Sequence, residues 1–179
     1  SGFNVLRSNF AQRTDSLLLE LSHSYLFFYD QLEKANLFLQ GVIDHADKPM
    51  DDQRVQFFFK HPVGDGGTFC GVADLVDKYG IVPKEVMPET HSSDNTSRMA
   101  KLITSKLREY GLLLRKMAAE KAKPVVINAE KTRMLATIYR MLSMTIGEPP
   151  TSFTYAFKNE SGRTVTEEKK YTPQEFAKD

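Results

Sequence analysis

The sequence predicts an α+β fold that is mostly helical, and three observations lead there. Apolar residues recur at helical spacing over most of the chain. Glycine and proline stand where those patterns stop. Alternation with a period of two is confined to one stretch near the C-terminal end, enough for a hairpin. With 179 residues, 41% of them hydrophobic and 26% charged, the chain suits one globular domain able to bury a core.

The elements follow in order. Phe3, Leu6 and Phe10, and then Leu26, Tyr29, Leu32 and Leu37, predict helix through the first part of the chain. The polar run DHADKPMDD over residues 44–52 predicts a loop, and a short helix over about 52–60 ends before Pro62. After the turn Gly64-Asp65-Gly66-Gly67 the residues Val72, Leu75, Val76 and Tyr79 predict another helix, with Gly80 as its C-terminal cap. A second region opens near Ser93, where SSDNTS offers capping side chains ahead of a stripe formed by Met99, Leu102, Ile103, Leu107, Tyr110, Leu114 and Met117. In the next helix Met134, Leu135, Ile138, Met141, Leu142 and Thr145 share a face, and Gly147 with Pro149-Pro150 stops it. TSFTYAF and Arg163 to Tyr171 alternate as two strands joined by a turn at Asn159 to Gly162. Thr172-Pro173-Gln174-Glu175 then combines a threonine cap, proline at the first helical position and glutamate three residues after the cap. So complete a start signal, so near Asp179, predicts that the polypeptide continues.

Composition excludes several classes. Lys and Arg number 24 against 23 Asp and Glu, so a net charge of +1 provides no general field for nucleic acid or an anionic membrane. No apolar run approaches the roughly 20 residues that cross a bilayer, and the cluster Phe57-Phe58-Phe59 is closed by Lys60. Cys70 is the single cysteine, which rules out an intramolecular disulfide and favours the cytoplasm. Cys70 and His61 are the residue types of a nucleophile and its base, yet Cys70 follows a glycine turn on an apolar helix, where a small buried thiol is the better reading. His61 precedes Pro62 and suits a helix end; His23, His45 and His91 lie on unrelated segments. Asp44, Asp47, Asp51 and Asp52 lack the central glycine and closing glutamate of a calcium loop, so they read as loop charges and helix caps. No metal and no cofactor is expected.

The GDGG turn leaves three readings open. Glycines ahead of a helix can cradle an anion, although the lysine and Ser/Thr of a P-loop are absent. They can let an extended ligand pair with the main chain, or they can simply make a tight turn.

The residues around the turn carry a resemblance. Leu21-Ser22 with Leu26, the Gly-Gly pair, Ala73 and Val76, Tyr79-Gly80-Ile81 and Pro88 are similar in order and spacing to papain-like cysteine peptidases. SGFNVLRS, SHSYLFFYDQLEKAN, KYGIVPKEVMPET and GEPPTSF resemble their intracellular branch, the bleomycin hydrolase and aminopeptidase C family, from the first residue to the last. The resemblance implies part of a papain-like fold: residues 1–92 as a helical lobe bearing the GDGG turn, and 93–179 as a helical insertion plus the hairpin, truncated at its C-terminus. It implies cleavage of peptides, one residue at a time from the N-terminus, by a cysteine thiolate aided by histidine and asparagine. The family pattern puts the nucleophile just upstream of Ser1 and the other two beyond Asp179, so no catalytic residue is expected in this chain. Gly66 and Gly67 would align an extended substrate through their backbone, and Thr68 and Phe69 would line the adjoining pocket. There the family carries a larger polar residue and a tryptophan, so this pocket departs from the pattern. Gly64 stands where secreted relatives carry a disulfide cysteine. The family implies a homo-oligomer, a hexamer around an inner cavity. The alternative is a catalytically silent module whose helices mediate assembly.

Overall fold

The computed structural model describes residues 19–64, 69–89, 93–159 and 161–178. Phe3, Leu6 and Phe10 lie outside them. In chain order the elements are α1 (His23–Asp44), α2 (Gln53–Lys60), α3 (Phe69–Tyr79), α4 (Ser93–Ala119), α5 (Pro124–Ile146), β1 (Phe153–Tyr155), β2 (Lys169–Tyr171) and α6 (Pro173–Lys178). They group into two units that are discontinuous in sequence, one holding residues 1–29, 67–90 and 148–179, the other 30–66 and 91–147. The sequence reading instead divides the chain once, near Ser93.

In the first unit, α1 starts where Ser22 Oγ accepts the Tyr25 amide at 3.1 Å while donating to the Met87 carbonyl at 2.5 Å. This is a side-chain cap on one of the amides a helix start leaves unpaired. The strand-like segment ahead of it is held by Ser22 N–H to Val82 O at 2.9 Å and Lys84 N–H to Glu20 O at 2.8 Å. The expected hairpin is present, with Phe153 opposite Tyr171 and Tyr155 opposite Lys169 in an antiparallel pair. Its turn falls at Asn159 to Gly162: Asn159 Oδ1 accepts from the Ser161 and Arg163 amides, and Gly162 takes φ +76. The second strand, expected from Arg163, shrinks to Lys169–Tyr171 plus an isolated bridge between Lys158 and Thr164. Residues 161–170 are all exposed, so alternation there has no core face to match. The threonine cap of α6 forms as predicted: Thr172 Oγ1 accepts the Glu175 amide at 3.3 Å and Glu175 Oε2 accepts the Thr172 amide at 2.8 Å. That start signal delivers Phe176, fully buried, into a cage of Phe153, Tyr155, Phe157 and Tyr171 with ring centroids 5.2–5.7 Å away.

The second unit is a set of packed helices. α2 begins at Asp52, whose carboxylate accepts the Arg54 and Val55 amides, and ends at His61, whose amide bonds to Phe57 O. Both the helix and its end match the sequence reading. On α4 the buried row is Met99, Ile103, Leu107, Tyr110 and Leu114. Leu102, placed on that stripe by spacing, is 58% exposed; it lies about 100° round the helix from the middle of the row. On α5 the buried row is Ile127, Met134, Ile138, Leu142 and Ile146, and Gly147 ends the helix with φ +102. Leu135, Met141 and Thr145 are only half-buried.

Three residues on one face of α4 dock the helix ends beside it. Arg108 donates to Phe59 O at 2.8 Å and Lys60 O at 3.2 Å, the last carbonyls of α2. Arg115 donates to His45 O and Lys48 O just past α1. Between them Gly111 leaves room for rings: a Cβ there would lie 2.8 Å from Phe59 Cζ and 3.0 Å from Phe38 Cζ.

Candidate functional site

Of the residues expected to bind substrate, Gly66, Gly67 and Thr68 lie outside the described residues, and Phe69 is placed by its backbone as the first residue of α3. What the structure describes is the body that carries them. In α3, Gly71, Val72, Leu75, Val76 and Tyr79 are half-buried and Ala73, Asp74, Asp77 and Lys78 are exposed, while Gly80, Ile81, Val82 and Pro83 just past the helix are all buried. Residues of α1 and α6 hold its C-terminal end.

Five contacts are made there. Gly80 caps α3 with φ +78 and its amide on Val76 O at 2.8 Å, as the sequence predicts. The Tyr25 hydroxyl donates to Tyr79 O at 2.7 Å, and the Tyr29 ring stacks on the Tyr79 ring at 3.9 Å and 14°. From α6, Gln174 Nε2 donates to Lys78 O at 3.5 Å, and Pro173 O accepts the Ile81 amide at 3.1 Å. The fit is close enough that a Cβ on Gly80 would sit 2.1 Å from the Pro173 carbonyl carbon. Sequence reasoning placed Tyr29, Tyr79 and Gly80 on their helices without joining them. The available signal was Tyr25 and Tyr29 at i and i+4, neighbours on one helix face.

The other candidates are accounted for locally. Cys70 is the second residue of α3, and its side chain lies outside the described ones. His61 is the C-cap of α2, and His45 Nδ1 lies 2.9 Å from Gly41 O. Among the loop aspartates, Asp44 accepts from Gln40 at 2.8 Å, and Asp52 caps α2, with its pKa lowered by the Val55 amide first of all. Among the described residues no group of three His, Cys, Asp or Glu side chains is placed to hold a metal ion. No helix among them is long and apolar enough to cross a membrane. Lys158 pairs with Glu85 at 3.2 Å, and burial raises the pKa of the nearby Tyr155 phenol, with the Glu85 charge adding to it.

The chain, mostly helical with an antiparallel hairpin, has the fold of part of a papain-like peptidase. It matches the crystal structure of PepW from Lactobacillus rhamnosis with a TM-score of 0.93 and 38% identity, over 100% of this chain and 40% of that one. The model of the Peptidase C1-like family matches residues 1–179, and the chain belongs to that family. Aminopeptidase C of Lactobacillus delbrueckii subsp. lactis is 39% identical over 178 residues, 99% of this chain and 39% of that protein. Bleomycin hydrolase of Gallus gallus is 35% identical over 161 residues, 89% of this chain and 35% of that protein. The chain thus spans 39–40% of the length of the aminopeptidases C and G it resembles.

Proposed function

We propose that this chain is the substrate-aligning portion of a cytoplasmic cysteine aminopeptidase, whose thiolate, histidine and asparagine are supplied by polypeptide outside it. The observation that carries the reading is the match of one peptidase family over residues 1–179, with relatives named as aminopeptidases and bleomycin hydrolases. The substrates are peptides. Gly66 and Gly67 pair with the substrate main chain, and Thr68 and Phe69 line the pocket beside it. Such pairing holds the scissile carbonyl in place without demanding one sequence, which lowers the entropic cost of attack. No residue of this chain acts as nucleophile or base, and no metal or cofactor takes part.

The test uses a polypeptide in which this chain is joined to segments bearing the nucleophile and its partners. Gly67→Val should lower kcat/KM for an aminoacyl fluorogenic peptide by about 100-fold or more, because a branched side chain fills the space of the peptide backbone. Reaction of the nucleophile with a small alkylating agent should not change. Near-normal hydrolysis by Gly67→Val would reduce the turn to a structural role. A second reading, an assembly module acting as a homo-oligomer, draws on the exposed apolar side chains Leu102, Leu112, Val125, Val126 and Met144 of α4 and α5. It is the alternative to the first: a catalytically silent module whose helices mediate assembly.

A further inference from the structure

We propose that the connection between α4 and α5 is a docking tip for an anionic lipid bilayer, of the kind the cytoplasmic leaflet of a membrane presents. The net charge of +1 conceals an uneven distribution: residues 115–131 carry five Lys and Arg against two Glu, and the rest of the chain carries 19 against 21 acidic residues. Seven of the eight residues 119–126 are exposed, Lys121 and Lys123 among them, and the Lys116 side chain is 71% exposed. Val125 and Val126 are 78% and 50% exposed, and Leu112 and Leu113, about two turns back along α4, are exposed as well. Apolar side chains interleaved with lysines suit a bilayer surface, where the apolar groups enter the headgroup region and the cations meet lipid phosphates.

Local structure favours other residues at these positions. α4 ends in a left-handed cap: the Ala122 amide bonds to Met117 O at 3.0 Å, the Lys121 amide to Ala118 O at 3.0 Å, and Lys121 takes φ +58. Glycine is the preferred residue there, and among the described residues Lys121 is the one non-glycine residue with positive φ. Lys123 is the N-cap of α5 and makes no side-chain cap bond. Serine or aspartate would serve better, and a cation at that end opposes the helix dipole. The first turn of α5 holds no acidic residue, and the exposed Val125 and Val126 stand there instead. Three neighbouring choices therefore cost stability, and each adds positive charge or apolar surface at the same end of the helix pair. A binding role for that surface accounts for all three.

Co-sedimentation of the full chain with vesicles tests this. The chain should bind vesicles of phosphatidylglycerol mixed equally with phosphatidylcholine at low salt, release them as salt rises, and leave phosphatidylcholine alone unbound. Each lysine is worth about fivefold, so Lys116→Gln, Lys121→Gly and Lys123→Ser together should weaken binding about 100-fold. That triple variant should unfold at no lower urea concentration, because glycine and serine suit the two capping positions, which separates lost binding from lost folding. Val125→Ser with Val126→Ser should weaken binding about tenfold. Lys101→Gln, the same charge change about 27 Å away along α4, should leave it within about twofold. No binding to the anionic vesicles, or undiminished binding by the triple variant, would overturn the proposal. So would binding of poly-glutamate through these lysines without vesicle binding, which would give the tip to an acidic protein. Concentration-dependent protection of residues 119–126 from amide exchange in vesicle-free solution would overturn it too, by assigning the tip to contact between copies of this chain.

Discussion

Gly111→Ala sets two effects of similar size against each other, and the structure decides the sign. In the interior of an exposed helix, replacing glycine by alanine stabilises by about 1 kcal/mol through backbone entropy. At Gly111 the added methyl would lie 2.8 Å from Phe59 Cζ, 3.0 Å from Phe38 Cζ and 3.1 Å from Phe59 Cε1. Neither ring moves easily. Phe38 is 3% exposed, the two rings meet edge to face at 5.6 Å, and Arg108 ties the Phe59 carbonyl to α4. Overpacking of this kind costs about 1–3 kcal/mol, so the net change is destabilisation of about 1 kcal/mol. Urea unfolding followed by circular dichroism measures it. Repeating the exchange in a Phe59→Leu background removes the nearest ring, and there Gly111→Ala should turn neutral or stabilising. Stabilisation by about 0.5 kcal/mol or more in the unaltered background would show that α2 and α4 do not approach as closely as described.

Phe176→Ala should cost about 3–5 kcal/mol, read as a lower urea midpoint of the hairpin unit, because it empties the aromatic cage; a midpoint unchanged within error would show that α6 is not docked. Arg108→Met should cost about 1 kcal/mol by leaving two carbonyls at the end of α2 without their charged donor, and thermal unfolding would contradict this if it showed no loss. Asp52 bonds the Val55 and Arg54 amides, so its folded pKa lies below the ordinary 3.8; its contribution is present above that value and lost as pH falls through the folded value. Asp52→Asn keeps an acceptor but no titrating charge, so the stability gap between the two proteins should close between pH 5 and 2, about where carboxylates titrate, and a constant gap would refute the assignment.

Much of the architecture was readable from local pattern. The capping box at Thr172 and Glu175, the stop at Gly80, the short helix ending at His61 and the turn at Asn159 to Gly162 depend on residues within a few positions of one another, and the structure repeats each of them. Periodicity was less exact. It placed Leu102 on the buried face and extended the second strand back to Arg163, because an apolar residue or an alternating run marks a possible face without saying what lies opposite. The resemblance to a peptidase family rested on runs such as SYLFFYDQLEKAN and was upheld over the chain's full length.

By itself the sequence determined several helix ends and caps, such as those at Gly80, His61, Gly147 and Thr172, and the family, since these follow from short-range sterics, hydrogen bonding and motif order. Only the tertiary structure decided that Gly80 meets the backbone of Pro173, that Tyr25 and Tyr29 reach Tyr79, and that Arg108, Gly111 and Arg115 receive the ends of other helices. Those pairs are separated by 48 to 93 positions in the chain. Contact between residues so far apart is set by how whole faces pack, and no local propensity encodes which face meets which.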